Sequence, residues 1–214
     1  MQKKERFERF INYFKAHQPD AQTELHYSNP YELLVAVILS AQCTDKRVNM
    51  TTPALFHRFP TPLALSKSSA EEVFEYIKSI SFANNKSKFL VGMAKILVEK
   101  HHSIVPNDME ALQEMPGVGR KTANVITSVV FGEAAMAVDT HVFRVSKRIG
   151  LVTQTANTPL AVEKQLMKYI PEEYVHIAHH WLILHGRYIC VARNPKCDIC
   201  PLTDFCWYFS KNNK

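Results

Sequence analysis

Apolar residues recur along this chain at helical spacing, and the elements they predict are helices throughout. Phe7, Phe10, Ile11 and Phe14 share one face of a first helix. Asn29-Pro30 opens a second, with proline at its first position. Residues 31–39 are apolar nearly all round, which marks a buried central helix. Thr44 or Asp45 caps the next helix, and Thr61-Pro62 starts a short one. Ser69 with Glu72 forms a capping box, backed by a stripe of Val73, Ile77 and Ile80. After a break at 81–85, a helix from about residue 85 to 101 turns Phe89, Met93, Ile96 and Leu97 inward. It leaves Lys86, Lys88, Lys95 and Lys100 in solvent. Thr158-Pro159 and Pro171 open two more helices. The second has Tyr174, Ile177, Ala178, Trp181, Leu182 and Leu184 as its core face, with His179, His180 and His185 structural or solvated. No stretch alternates with period two in strand-like residues, so the expected fold class is all-α.

The stretch 107–139 adds a tight turn to this pattern. Residues 107–114 predict a short helix, with Asn107 as cap and Glu110 three positions on. Gly117-Val118-Gly119 follows, then a helix with Ala123, Ile126 and Val130 on one face and Gly132 as its stop. This is helix, glycine hairpin, helix. The hairpin amides and the second helix's N-terminus offer donors and positive partial charge, a seat for a phosphate. Arg120 and Lys121 bring full charges to the same place. A neutral lysine also forms Schiff bases. Near its reference pKa only about one lysine in 2,500 is neutral at pH 7, so a nucleophilic Lys121 needs a lowered pKa. Arg120 and the helix N-terminus push that way. Asp139 follows the apolar run 134–138 and precedes a helix with Val142, Val145 and Ile149 on one face and Gly150 at its end. It reads as an N-cap or as a carboxylate that stabilises positive charge on a substrate.

The 214 residues suit one or two domains with a real core, and 46% apolar composition excludes a disordered chain. Lys and Arg outnumber Asp and Glu by 26 − 20 = 6, which points weakly to a polyanionic partner. The polar, mixed-sign start predicts no signal peptide, and the longest apolar run, 33–39, is too short to span a bilayer. The expectation is an intracellular chain.

Cys190, Cys197, Cys200 and Cys206 are spaced Cys-x6-Cys-x2-Cys-x5-Cys within seventeen residues. A metal site explains them better than disulfides in a reducing compartment. Zinc suits four thiolates, and a cubane cluster suits the uneven spacing as well. Cys43 stands apart as a small buried residue.

Residues 116–124, Pro-Gly-Val-Gly-Arg-Lys-Thr-Ala-Asn, and 138–142, Val-Asp-Thr-His-Val, resemble the helix-hairpin-helix base-excision DNA glycosylases. The endonuclease III branch is the nearest match. The resemblance covers nearly the whole chain. It implies Lys121 as Schiff-base nucleophile and Asp139 as catalytic carboxylate. The adenine glycosylases carry no lysine at the position of Lys121, so a bifunctional glycosylase and lyase acting on oxidised pyrimidines is implied. The cysteine spacing matches the family's [4Fe-4S] loop, which decides the metal. Residues 22–132 should form one helical lobe. Residues 1–21 with 133–214 should form a second, carrying the cluster loop at 187–206. A DNA cleft between the lobes would have Lys121 and Asp139 facing it. Gln42 would fill the gap left by a flipped base. Phe82, where the family often has leucine between glycine and tyrosine, is either the intercalating wedge or a core residue. Gly117, Val118, Gly119, Arg120, Thr122, His141, Arg193 and Lys196 would contact DNA. The partner is duplex DNA with damaged pyrimidines or abasic sites. The protein would be a cytoplasmic, nucleoid-associated monomer. Two alternatives are a non-catalytic DNA-binding module with structural zinc and a monofunctional mismatch glycosylase.

Overall fold

The computed structural model describes residues 1–212, and every regular element among them is helical. In chain order these are α1 (Lys3–His17), α2 (Pro30–Ser40), α3 (Asp45–Arg58), α4 (Pro62–Ser66), α5 (Ala70–Ile77) and α6 (Ala83–His101). Then come α7 (Met109–Gln113), α8 (Arg120–Phe131), α9 (Thr140–Ile149), α10 (Pro159–Tyr169), α11 (Glu172–Tyr188) and α12 (Trp207–Asn212). Short 3-10 turns lie at Cys197–Ile199 and Thr203–Phe205. The chain divides into two compact units. One is Glu24–Phe131; the other joins Met1–Thr23 to the chain from Gly132 onward. Among the described residues, no helix is long and apolar enough to cross a membrane.

In the unit Glu24–Phe131, α2 is the hub because it is apolar on every side. Tyr31 and all residues from 33 to 39 are buried, and α3, α6 and α8 pack around it. Side-chain oxygens start the helices: Asn29 for α2, Thr44 for α3, Thr61 for α4 and Ser69 for α5. Each such cap contributes about 1 kcal/mol. Thr44, not Asp45, holds the α3 cap. The box at α5 is half made. Ser69 accepts from the Glu72 amide, but the Glu72 carboxylate turns to Arg58 at 2.6 Å.

Expectations about α6, Lys86 and Cys43 in this unit need correction. α6 begins at Ala83, because Phe82 takes a left-handed φ of 59° and sends the chain directly into the helix. Its inward face is Leu90, Met93, Ala94 and Leu97, while Ile96 is half-buried and Phe89 is 38% exposed. Lys86 is not solvated. It is 4% exposed, and its Nζ donates to the Leu39 oxygen at 2.7 Å and the Ala41 oxygen at 2.6 Å. Carbonyls at the end of α2, which lack intrahelical donors, supply what water would have given. Cys43, expected in the core, is only half-buried.

In the second unit, α9 is the central element. Val142, Val145 and Ile149 are at most 1% exposed, and Gly150 ends the helix at φ 89°. Phe7, Phe10 and Phe14 of α1 join Trp181 of α11 in the core, and the Phe14 and Trp181 rings stack at 5.6 Å. His179, His180 and His185 are all buried. Burial pushes His180 and His185 down to about 4, so both are neutral near pH 7.

Candidate functional site

The hairpin between α7 and α8 is shaped by packing within its own unit. Asp108, not Asn107, caps α7, because it is the extended residue and its Oδ1 accepts from the Ala111 amide at 2.7 Å. Gly117 sits at φ 82°, and a Cβ there would lie 3.0 Å from Phe89 Cβ and 3.2 Å from Ile38 Cγ2. Only glycine meets both demands. Pro116 rests on Gly92 of α6, where an added Cβ would stand 3.0 Å from its ring. Gly119 differs: its φ is ordinary, and a Cβ there would meet nothing within 4 Å. The turn thus presents an open face at Gly119, beside the first-turn amides of α8. Arg120 and Lys121 are exposed on that turn, Thr122 is half-buried and Val118 is buried. Helix geometry leaves first-turn amides without intrahelical acceptors.

The same unit carries Gln42 and Phe82. Both are non-glycine residues in the left-handed region, at φ 53° and 59°, and both are exposed. Each such conformation costs on the order of 1–3 kcal/mol and persists only where the surroundings impose it. Phe82 is 62% exposed, so it is not a core residue.

The second unit carries Asp139 and the cysteines. Asp139 caps α9: its Oδ1 accepts from the His141 and Val142 amides, both at 2.8 Å. Both bonds fall on one oxygen, and Oδ2 is not engaged in the cap. The cap therefore fixes the carboxylate without using it up. His141 is half-buried, with Nδ1 3.2 Å from Arg144. Burial lowers its pKa, and the charge of Asp139 opposes that shift. Gly186 lets α11 close on α9, since a Cβ there would be 3.0 Å from His141 Cβ.

Two arginines of α9 hold the segment after α11. Arg144 donates to the oxygens of Cys190 and Gly186, at 3.2 and 2.9 Å. Arg148 donates to the oxygens of Val191 and Ala192, at 2.7 and 2.9 Å, and lies 3.6 Å from Cys190 Sγ. All four cysteines of the cluster line one cavity together with Arg148, Ile149, His185, Leu202 and Phe209. None forms a disulfide. Among the described residues, no three Cys, His, Asp or Glu side chains are placed to hold a single metal ion. The sulfurs line a space rather than converge on a point. Burial, then the neighbouring sulfurs, push the Cys200 thiol up to about 11, and the Cys197 and Cys206 thiols also rise. Sulfurs whose ionisation is opposed by burial and by one another fit a cationic inorganic group, which relieves that repulsion by ligation. Arg193 and Lys196 are exposed in the loop between the first two cysteines, either side of a left-handed Asn194.

The sequence model of the HhH-GPD superfamily base excision DNA repair proteins matches residues 35–172, and that of the iron–sulfur binding domain of endonuclease III matches residues 190–206. Endonuclease III of Rickettsia felis is 50% identical over 197 residues, 92% of each chain. The chain belongs to the endonuclease III family. The family's Escherichia coli K12 member is 45% identical over 213 residues, 99% of each chain. A solved structure of an endonuclease III–DNA covalent intermediate aligns over all of both chains, with a TM-score of 0.94 and 44% identity. The family's cofactor is a [4Fe-4S] cluster, and zinc is set aside.

Gln42, Phe82, the hairpin residues and Lys121 thus fall in one unit, while Asp139, His141, the four cysteines, Arg193 and Lys196 fall in the other. Sequence reasoning missed Lys86, Arg144 and Arg148. The arginines carried one readable signal: they recur at i and i+4 on the helix that Asp139 starts.

Proposed function

We propose that the chain is a bifunctional DNA glycosylase and abasic-site lyase of base excision repair, acting on oxidised pyrimidines in duplex DNA. One observation carries this reading: an exposed lysine on the first turn of α8, beside a hairpin face left open at Gly119. It occurs in a chain that aligns end to end with an enzyme trapped covalently on DNA.

The target nucleotide must leave the stack for its C1′ to be reached. The Lys121 amine, in its free form, bonds to C1′. The C1′–base bond breaks, and the base leaves with that electron pair and takes up a proton. Asp139 stabilises the positive charge that develops on the sugar, or accepts the amine proton. Ring opening gives a Schiff base. Loss of a C2′ proton then expels the 3′ phosphate oxygen, cutting the strand 3′ to the site by β-elimination. Gly117, Val118, Gly119, Arg120 and Thr122 seat the backbone phosphates. Gln42 occupies the vacated space, and Phe82 is the wedge, its exposure in a left-handed turn supporting that role. His141, Arg193 and Lys196 add contacts to the strand.

Cys190, Cys197, Cys200 and Cys206 are the cluster's ligands in this reading. Bound there, the group supplies the fold of the C-terminal loop. The protein works as a monomer in the cytoplasm, at the nucleoid.

The test is borohydride trapping on duplex DNA with one thymine glycol. The wild type should give a covalent adduct, and Lys121→Ala none while still binding the duplex. An adduct in both moves the nucleophile elsewhere. No adduct in the wild type, with binding retained, leaves a binding module or a monofunctional glycosylase.

A further inference from the structure

We infer that Lys86 is a positioning residue that holds the Gln42 and Phe82 loops in the conformation that meets damaged DNA. The inference rests on the reading of Gln42 and Phe82 as DNA-contacting groups. Two bonds from the Lys86 side chain carry it, and the Lys86 main chain lies one turn from Phe82. The Lys86 ammonium donates to the Leu39 and Ala41 oxygens, at 2.7 and 2.6 Å. The Lys86 amide donates to the Phe82 oxygen at 3.0 Å.

The acceptors matter more than their number. The Ala41 carbonyl belongs to the peptide plane that ends at the Gln42 nitrogen. Fixing that oxygen fixes the plane from which Gln42 enters its left-handed turn. The Phe82 carbonyl likewise belongs to the plane that leaves Phe82, and Asn85 and Lys86 amides both hold it. Gln42 and Phe82 are thus both left-handed and both exposed; the Lys86 side chain holds the carbonyl that precedes Gln42, and so fastens the first turn of α6, which Phe82 starts, to the end of α2. Residues in such conformations stay there only under external constraint.

The side-chain chemistry suits the task. An ammonium can donate in three directions from the end of a flexible stem, so one atom serves two carbonyls of a helix end. The short distances are those of charge-assisted bonds. Burial lowers the pKa of the group, and the nearby Cys43 sulfur partly offsets that shift.

A helix cap alone would affect stability and nothing else. Positioning predicts coupling to Gln42 and Phe82. The experiment uses a duplex with one tetrahydrofuran abasic-site analogue and 2-aminopurine opposite it. Affinity and the fluorescence rise on binding are measured for wild type, Lys86→Met, the pair Gln42→Ala with Phe82→Ala, and the triple variant. Lys86→Met should weaken binding about tenfold and suppress the fluorescence rise, yet add nothing further in the triple variant. If Lys86→Met does not fold, Lys86→Gln replaces it in the cycle; its neutral amide ends one bond short of the ammonium position and makes no charge-assisted bond, and the same non-additivity is expected. Additive losses overturn the inference, as does wild-type binding by the lysine variant when the alanine pair is weakened. An alanine pair that binds like wild type overturns the reading of Gln42 and Phe82 themselves, and the inference falls with it.

Discussion

The hairpin ahead of α8 and the cysteine loop after α11 are both irregular segments that the proposed chemistry depends on, but they are held in place by different forces. The hairpin is held by contact. Gly117 lies against Phe89 and Ile38, and Pro116 sits on Gly92. The cysteine loop is held by polar groups, since Arg144 and Arg148 reach its carbonyls. Close packing tolerates no added atom, so a contact-held turn is sensitive to a single methyl. A loop held by several donors loses them one at a time. The first arrangement suits a nucleophile, whose position must be fixed. The second suits a segment whose main anchor is an inorganic group.

The largest effect is expected where charge alone is removed. Asparagine caps a helix about as well as aspartate, so Asp139→Asn keeps the two bonds to the His141 and Val142 amides. It removes the negative charge. Base removal should slow by about a hundredfold or more, as when a group aimed at transition-state charge is lost, with Tm nearly unchanged. Single-turnover kinetics and a melting curve decide it. An unchanged rate reduces Asp139 to a cap.

The hairpin's own contrast comes next. Gly117→Ala places a Cβ among Phe89 and Ile38 at a left-handed φ. It should cost about 2–3 kcal/mol in chemical denaturation. Gly119→Ala meets nothing in the protein. It should leave stability intact and weaken binding to an abasic-site duplex. Equal stability of the two variants would show that contact does not hold the turn, and full binding by Gly119→Ala would remove its face from the DNA contact.

The same contrast explains what the sequence made legible. Helix starts at Asn29, Thr61, Ser69 and Thr158 and stops at Gly132 and Gly150 were readable, because a cap or a stop is a local event within four residues. The hairpin was readable for the same reason. The Asn107 cap failed locally too, one residue from Asp108, since two capping residues in a row leave the choice to backbone angles. Lys86 was not readable. Its acceptors lie 47 and 45 residues away, and a lysine between polar neighbours looks like a solvated one. For the histidines of α11, expected to be structural or solvated, only packing against neighbours distant in sequence decides for the buried, structural place. The cysteine spacing marked four candidate ligands; the i, i+4 pair of arginines was readable as a pair, but the carbonyls it holds are visible only once α9 and α11 are packed together.

The smallest expected effect tests the polar half of the comparison. Arg148→Met keeps the aliphatic stem and removes the donors to Val191 and Ala192, together with the guanidinium beside Cys190 Sγ. The helix itself should survive, because methionine is a good helix former. Arg144 still holds the Cys190 and Gly186 carbonyls, so the loop should loosen rather than unfold. Groups that support metal ligands from outside are worth about tenfold or more in retention of the metal. Visible absorbance should therefore decay about tenfold faster under an iron chelator than in the wild type. Melting of the cluster-loaded protein should barely change. Decay at the wild-type rate would mean that the sulfurs alone hold the loop. Decay at the rate of a Cys200→Ala variant would make Arg148 as necessary as a ligand.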